Sequence, residues 1–135
     1  MLVRILGIIA VIAVIGKATK LGESQLTYIM NMTKIATTQT EVTGISRMIY
    51  TDLIVGNDAP FPDHDEQWWA DYLKQNLHSD IPTRDCARDM WLTPYQIRRV
   101  DNIPGTGGAG FMVRSAGPDA KFDTGDDIIV YNGSK

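Results

Sequence analysis

The chain has one cysteine, no proline before Pro60 and no concentration of basic residues. A lone cysteine excludes an internal disulfide and a cysteine-based metal site, and without a neighbouring histidine we expect Cys86 to be inert or paired between molecules. The 16 acidic and 13 basic residues are well mixed and leave a net charge of −3. A basic stripe typical of nucleic-acid-binding proteins is therefore missing. The length of 135 residues suffices for one domain.

Residue patterns typical of enzymes are also scarce. His64 and His78 do not have the spacing of zinc ligands, and neither belongs to a recognisable nucleophile–base pair. Residues 104–110 are rich in glycine, but they lack the lysine of a phosphate-binding loop. We therefore expect the protein not to be an enzyme and to have no small-molecule substrate.

Residues 1–16 are apolar except for Arg4, and Lys17 and Lys20 follow. A cleaved signal peptide, a buried soluble helix and a membrane anchor all have this pattern. Sixteen helical residues are about 24 Å long, whereas the hydrocarbon core of a membrane is about 30 Å thick. A helix that crosses the membrane therefore has to continue past residue 16, with the charged ends of Lys17 and Lys20 reaching out to the membrane surface. We favour an anchor over residues 1–25, because such a segment needs lipid or partner helices to cover it. The flanking charges nearly balance and do not set its orientation.

The absence of proline allows a helix to continue from the anchor to the stop signals Gly56 and Pro60. Apolar residues in this stretch recur at spacings of three, four or seven, which predicts an amphipathic helix with one face in a core. The members of this apolar stripe are Tyr28, Met32, Ile35, Val42, Ile45, Ile49 and Leu53.

A smaller helix and three strands are predicted beyond Pro60. Residues 67–77 have helical spacing, and Asp63 or Asp65 is placed to cap them. Residues 95–100, 111–115 and 127–131 predict a three-stranded antiparallel sheet, with the glycine-rich stretch connecting the first two strands. The predicted fold class is α+β: a long N-terminal helix, first apolar and then amphipathic, precedes a small domain. That domain covers residues 26–135 and includes the second half of the helix.

Four aspartates lie within nine residues between the last two predicted strands: Asp119, Asp123, Asp126 and Asp127. Converging carboxylates repel one another unless solvent, a basic group or a cation neutralises them. Ca²⁺ fits this composition best because it accepts six to eight carboxylate and carbonyl oxygens in flexible geometry. The alternating pattern of an EF-hand is absent. Spacing alone leaves an acidic surface turn equally open.

Three stretches together are typical of a known family. Tyr50 precedes an aromatic–proline pair at 61–62, and residues 89–95 read Asp-Met-Trp-Leu-Thr-Pro-Tyr. Residues 111–128 contain an apolar strand, then Ser-x-Gly-Pro-Asp, a variable loop and Asp-Asp-Ile. This order resembles the major pseudopilin of the type II secretion system, a relative of type IV pilins. The resemblance covers most of residues 45–131, and the 89–95 signature departs from the family at its second and fourth positions.

The resemblance implies a pilin-like fold with a structural Ca²⁺ in the aspartate loop. The implied ligands are the side chains of Asp119, Asp126 and Asp127 and the carbonyl of Ala116. Asp123 is either an additional ligand or a surface residue.

The function implied by the resemblance is that of a structural subunit in a pseudopilus or pilus-like filament. The chain would pass once through the bacterial inner membrane, hold its domain in the periplasm or outside the cell, and pack against copies of itself or homologous pseudopilins through the N-terminal helix. Tyr50 keeps the register of a mature pseudopilin, but Ile5 stands where the family has a glutamate. The alternative is a membrane-anchored accessory subunit with a pilin-like domain in another envelope or membrane complex.

Overall fold

The computed structural model describes residues 22–55, 64–77 and 84–133. Its elements confirm an α+β fold with a long helix and a small three-stranded antiparallel sheet. In chain order they are α1 (Glu23–Val55), α2 (Glu66–Asn76), β1 (Gln96–Val100), β2 (Gly110–Ser115) and β3 (Ile128–Gly133).

Several predicted features lie outside the described residues. These are residues 1–21 of the expected anchor, the helix stop signals at 56–60 and the aromatic–proline pair at 61–62. Among the helices within the described ranges, none has the length and apolar character needed to cross a membrane.

The chain divides into two compact units between Lys34 and Ile35. In the described part of the first unit, Tyr28, Met30 and Met32 on α1 are 66%, 58% and 50% exposed. The prediction that Tyr28 and Met32 belong to a buried stripe is therefore wrong for the single chain. Periodicity identifies side chains that share a helix face, but it does not show whether another element covers that face.

The second unit contains the hydrophobic core. The helix α1 contributes Val42, Ile45 and Ile49 to it, as their spacing predicts, and Ile35 and Leu53 pack at its edge. Residues from α2, from the segment before β1 and from all three strands complete the cluster: Trp69, Tyr72, Leu73, Ala87, Tyr95, Ile97, Phe111, Val113 and Ile128.

The helix α2 begins where its cap residue predicts. The Asp65 carboxylate accepts a hydrogen bond of 2.8 Å from the Trp68 amide, which satisfies one of the free N–H groups of the first turn. Trp69, Tyr72 and Leu73 face inward from this helix. The short helix is thus an amphipathic element that covers part of the core.

The strands lie in the order β1-β2-β3, and both pairs are antiparallel. In the middle strand Val113 is paired with Ile97 on one side and Val130 on the other. A hydrogen bond of 2.8 Å from the Ile103 amide to the Gly108 carbonyl closes the connection between β1 and β2. The predicted strands and the predicted role of the glycine-rich stretch as a hairpin connection are confirmed.

Polar contacts join α1 to the segment that leads into β1. The Glu41 carboxylate accepts hydrogen bonds from Arg84 and, at 2.5 Å, from the Tyr95 hydroxyl. Burial of the phenol and the nearby Glu41 carboxylate raise the pKa of Tyr95 far above its usual value. One further tyrosine makes a similar contact, because the Tyr72 hydroxyl donates to the Asp52 carboxylate.

Candidate calcium site

The candidate site is the aspartate loop, residues 116–127, which connects β2 to β3. Ser115 and Ile128 are register partners at the end of the paired strands, so the loop begins and ends at neighbouring positions. Ala120 and Asp123 have positive φ angles of 56° and 66°. Aspartate tolerates this left-handed conformation better than most side chains do. The backbone therefore folds back on itself within a short span.

A glycine allows the two sides of the loop to approach closely. Gly117 has a φ of 68°, and a Cβ at this position would lie 2.2 Å from the Asp126 carbonyl oxygen. The approach brings Asp119 against Asp126, whose Oδ2 accepts a hydrogen bond of 3.1 Å from the Asp119 amide. The Ser-x-Gly-Pro-Asp motif, which also contains the buried Ala116, thus brings the Asp119 amide to the Asp126 carboxylate.

Asp126 is held mainly by Thr124. The Thr124 hydroxyl donates a hydrogen bond of 2.5 Å to Asp126 Oδ1 and lies 3.5 Å from Asp127 Oδ1. This hydroxyl, together with the Asp119 amide, lowers the pKa of Asp126 below its usual value. A carboxylate that accepts such hydrogen bonds stays ionised, which is the state in which it binds a cation.

Asp123 and Asp127 contact an arginine that precedes the loop. Nη1 of Arg114 lies 2.7 Å from Asp123 Oδ1 and 3.3 Å from Asp127 Oδ2. The same Asp127 oxygen accepts a hydrogen bond of 2.9 Å from the Asp123 amide. Their exposures differ, since the Asp127 side chain is 5% exposed and that of Asp123 is 84% exposed. The guanidinium is therefore a basic group that neutralises part of the loop.

The start of the loop is fixed by a buried carboxylate from another segment. Asp89, which is 1% exposed, accepts a hydrogen bond of 2.6 Å from the Ser115 hydroxyl. Its other oxygen accepts from the amides of Trp91 and Thr93 at 2.9 Å each. The Ser115 oxygen in turn accepts from the Gly117 amide at 3.1 Å. Residues 89–95 and the aspartate loop are thus joined by one hydrogen-bonded network.

The five predicted ligands all lie in the aspartate loop. In residues 22–55, 64–77 and 84–133, no three acidic, histidine or cysteine side chains are arranged to hold a single metal ion. Two backbone contacts link the aspartates: the Asp119 amide donates to the Asp126 carboxylate, and the Asp123 amide donates to the Asp127 carboxylate. The donor set consists of hard oxygens, and Gly117 leaves room for the loop ends to meet, so the composition and the backbone fit Ca²⁺.

Sequence reasoning did not identify several residues that hold this loop. It missed Arg114, Thr124, Asp89 and Ser115 as contacts of the aspartates and of the loop's first residues. The contact of Arg114 with the aspartates could have been suspected from charge, because Arg114 is the basic residue of β2 and β2 precedes the four aspartates. The contact between Asp89 and Ser115 joins residues 26 positions apart, and no local pattern indicates it.

The chain was compared with protein families, curated proteins and solved structures. No protein-family model matches this chain, no curated protein matches its sequence and no solved structure matches its fold. A function for the chain therefore has to be inferred from its own residues and their geometry.

Proposed function

We propose that the chain is a structural subunit of a pseudopilus or pilus-like filament of the type II secretion kind. The observation that carries this proposal is the order of elements: a long helix, a short helix, and a three-stranded antiparallel sheet whose last hairpin encloses the aspartate loop. This is the order that the resemblance of the 89–95 and 111–128 motifs implies. The proposed role is structural, with no catalytic step.

The exposed apolar residues of α1 support assembly through the helix. Tyr28 and Met32 are four positions apart and so lie on the same side of α1, and both are at least half exposed. Large apolar side chains that share a face favour contact with a partner, because burial releases water from their surface. The partners we propose are copies of this chain or homologous pseudopilins, with residues 1–25 as the anchor in the bacterial inner membrane. The domain would then lie in the periplasm or outside the cell.

The aspartate loop would bind a structural Ca²⁺ in this proposal. Asp119, Asp126 and Asp127 supply side-chain oxygens, Ala116 supplies its carbonyl, and Asp123 is available as a further ligand. The ion would draw these oxygens together and hold the β2–β3 hairpin in the shape needed for packing between subunits. It would take no part in any reaction.

Photo-crosslinking tests the proposed assembly. A benzophenone amino acid replaces Tyr28 in the cell, and the same substitution at Asp101, whose side chain is 88% exposed, serves as the control. A filament subunit is expected to give a ladder of crosslinked multimers of this chain from position 28. A single adduct with one unrelated protein would contradict self-assembly.

That second outcome corresponds to the alternative function, a membrane-anchored accessory subunit of another envelope or membrane complex. The observation that favours it is Ile5. In the family a glutamate at this place pairs with the N-terminal amine of a neighbouring subunit inside the apolar filament core, where an unpaired charge is costly. A chain that lacks this carboxylate lacks one standard contact for filament assembly.

A further inference from the structure

Arg114 is a charged side chain built into the sheet beside the aspartate loop. It lies on β2 opposite Gln96 of β1, and Gln96 Oε1 accepts hydrogen bonds from Nε, at 3.0 Å, and from Nη2. The ring of Phe122 covers the guanidinium, with its centroid 4.7 Å from Cζ. The Arg114 side chain is only 8% exposed. Contacts on three sides therefore hold the guanidinium in one place.

Burial of a charge is costly unless other charges and hydrogen bonds compensate it. For Arg114 the compensating charges are Asp123 and Asp127, which are two of the five residues predicted to bind calcium. Asp119 and Asp126 instead contact backbone amides and Thr124. The loop is thus divided into an arginine-bound pair and a pair whose negative charges are not matched by Arg114.

We propose that Arg114 is a resident cation of the aspartate loop: it holds Asp123 and Asp127 without a metal and lowers the affinity of the loop for Ca²⁺. This inference rests on the proposed calcium site and adds the residue that sets its affinity. A guanidinium stays charged at all physiological pH values, so its repulsion of a divalent cation is permanent. Calcium binding therefore either moves the Asp127 carboxylate away from Arg114 or places the ion close to the guanidinium.

The size of the effect follows from Coulomb attraction and repulsion. A single charge and a divalent ion about 6 Å apart interact in water strongly enough to change a dissociation constant about tenfold. Removal of the Arg114 charge is therefore expected to tighten calcium binding about tenfold at low ionic strength. In the absence of calcium the same change leaves Asp123 and Asp127 without their cation and lowers the melting temperature by roughly 5 °C.

The experiment compares the full chain in detergent with Arg114→Gln, Arg114→Lys and the control Arg99→Gln. Arg99 lies on the adjacent strand and pairs with the exposed Asp101, so its loss removes the same charge outside the loop. Calorimetric titration with CaCl₂ is expected to give about tenfold tighter binding for Arg114→Gln. Arg114→Lys, which keeps the charge, and Arg99→Gln are expected to stay close to the unmodified chain. Equal or weaker binding by Arg114→Gln would overturn the inference.

A measurement in EDTA separates this inference from the calcium proposal. Asp127→Asn is made alone and together with Arg114→Gln, and the melting temperatures of the four chains form a double-mutant cycle. A resident cation predicts that Asp127→Asn destabilises the unmodified chain more than it destabilises Arg114→Gln. Additive shifts would show that Arg114 does not hold this carboxylate. If neither the unmodified chain nor Arg114→Gln binds Ca²⁺, the calcium site and the affinity claim are wrong, and the cycle alone decides whether Arg114 is the resident cation.

Discussion

The Ser115 hydroxyl donates a hydrogen bond of 2.6 Å to the carboxylate of Asp89, and both residues are buried. This contact links the last residue of β2 to the turn that carries Trp91 and Thr93, whose amides bind the other oxygen of the same carboxylate. The aspartate loop therefore begins from a fixed point, and its geometry depends on a residue from a different part of the chain.

We expect Asp89→Ala to lower the free energy of unfolding by about 3 kcal/mol, because it leaves buried donors without an acceptor. Asp89→Asn keeps one carbonyl oxygen for the two amides and is expected to cost less. Asp71→Ala is the matched control, since Asp71 is an exposed carboxylate on α2 that accepts one hydrogen bond from Gln67. Urea denaturation measures all three, and equal losses for Asp89→Ala and Asp71→Ala would show that the buried network contributes little.

Calcium is expected to raise the melting temperature of the full chain. A ligand that binds only the folded state adds about 2.7 kcal/mol at roughly 100 times its dissociation constant. Asp126→Ala should abolish the shift, because it removes a carboxylate that Thr124 and the Asp119 amide hold in place. Asp101→Ala removes an exposed carboxylate outside the loop and should leave the shift unchanged. Identical melting in excess calcium and in EDTA would contradict a calcium site.

Stability is expected to fall above pH 10 because the phenol of Tyr95 is buried. Burial and the Glu41 carboxylate keep Tyr95 protonated in the folded state, whereas it ionises in the unfolded chain near pH 10. Below pH 10 the phenol is neutral in both states and adds no pH dependence. Above pH 10 the unfolded state binds fewer protons, so the Tyr95 phenol lowers the free energy of unfolding by about 1.4 kcal/mol per pH unit.

Tyr95→Phe should therefore reduce the slope of stability against pH in this alkaline range. Tyr131→Phe, at a position that is 38% exposed, is the control. Urea denaturation between pH 9 and 11 measures the slopes, and the same slope for Tyr95→Phe and the unmodified chain would exclude a contribution from this phenol.

Thr38 on α1 is fully buried, and its hydroxyl has no hydrogen-bond partner in the part of the chain that the structure describes. Thr38→Val keeps the shape and removes the unsatisfied hydroxyl, so we expect a gain of about 1 kcal/mol in stability. Thr40→Val is the matched control, because the Thr40 hydroxyl is exposed and donates to the Ala36 carbonyl at 3.0 Å. A loss of stability in Thr38→Val would indicate that the hydroxyl is satisfied in the native protein.

Local sequence patterns predicted the elements of this fold but few of the contacts between them. The helix cap, the three strands and the glycine-rich connection depend on neighbouring residues, and all were predicted, the cap as Asp63 or Asp65. The exposure of Tyr28 and Met32 depends on what covers the helix, which periodicity does not report. Glu41 and Tyr95, 54 positions apart, meet only once the tertiary structure has formed.

For the candidate site, too, local features were predicted and contacts between distant residues were not. The placement of all four aspartates in the loop between the last two strands was predicted. Their convergence on a single ion stays a prediction. The contact of Arg114 with Asp123 and Asp127 was not predicted, because Arg114 is a buried charge in a strand. The contact of Asp89 with Ser115, 26 positions away, was not predicted either. Both become visible only where β2 meets its neighbours.

Electron microscopy of the native protein, released from the membrane in a mild detergent, tests the central claim most directly. The proposed function predicts a helical filament in which this chain is the repeating subunit, with the helices at the centre and the sheets outside. A closed complex of fixed stoichiometry, in which the chain occurs once beside larger unrelated subunits, would contradict it.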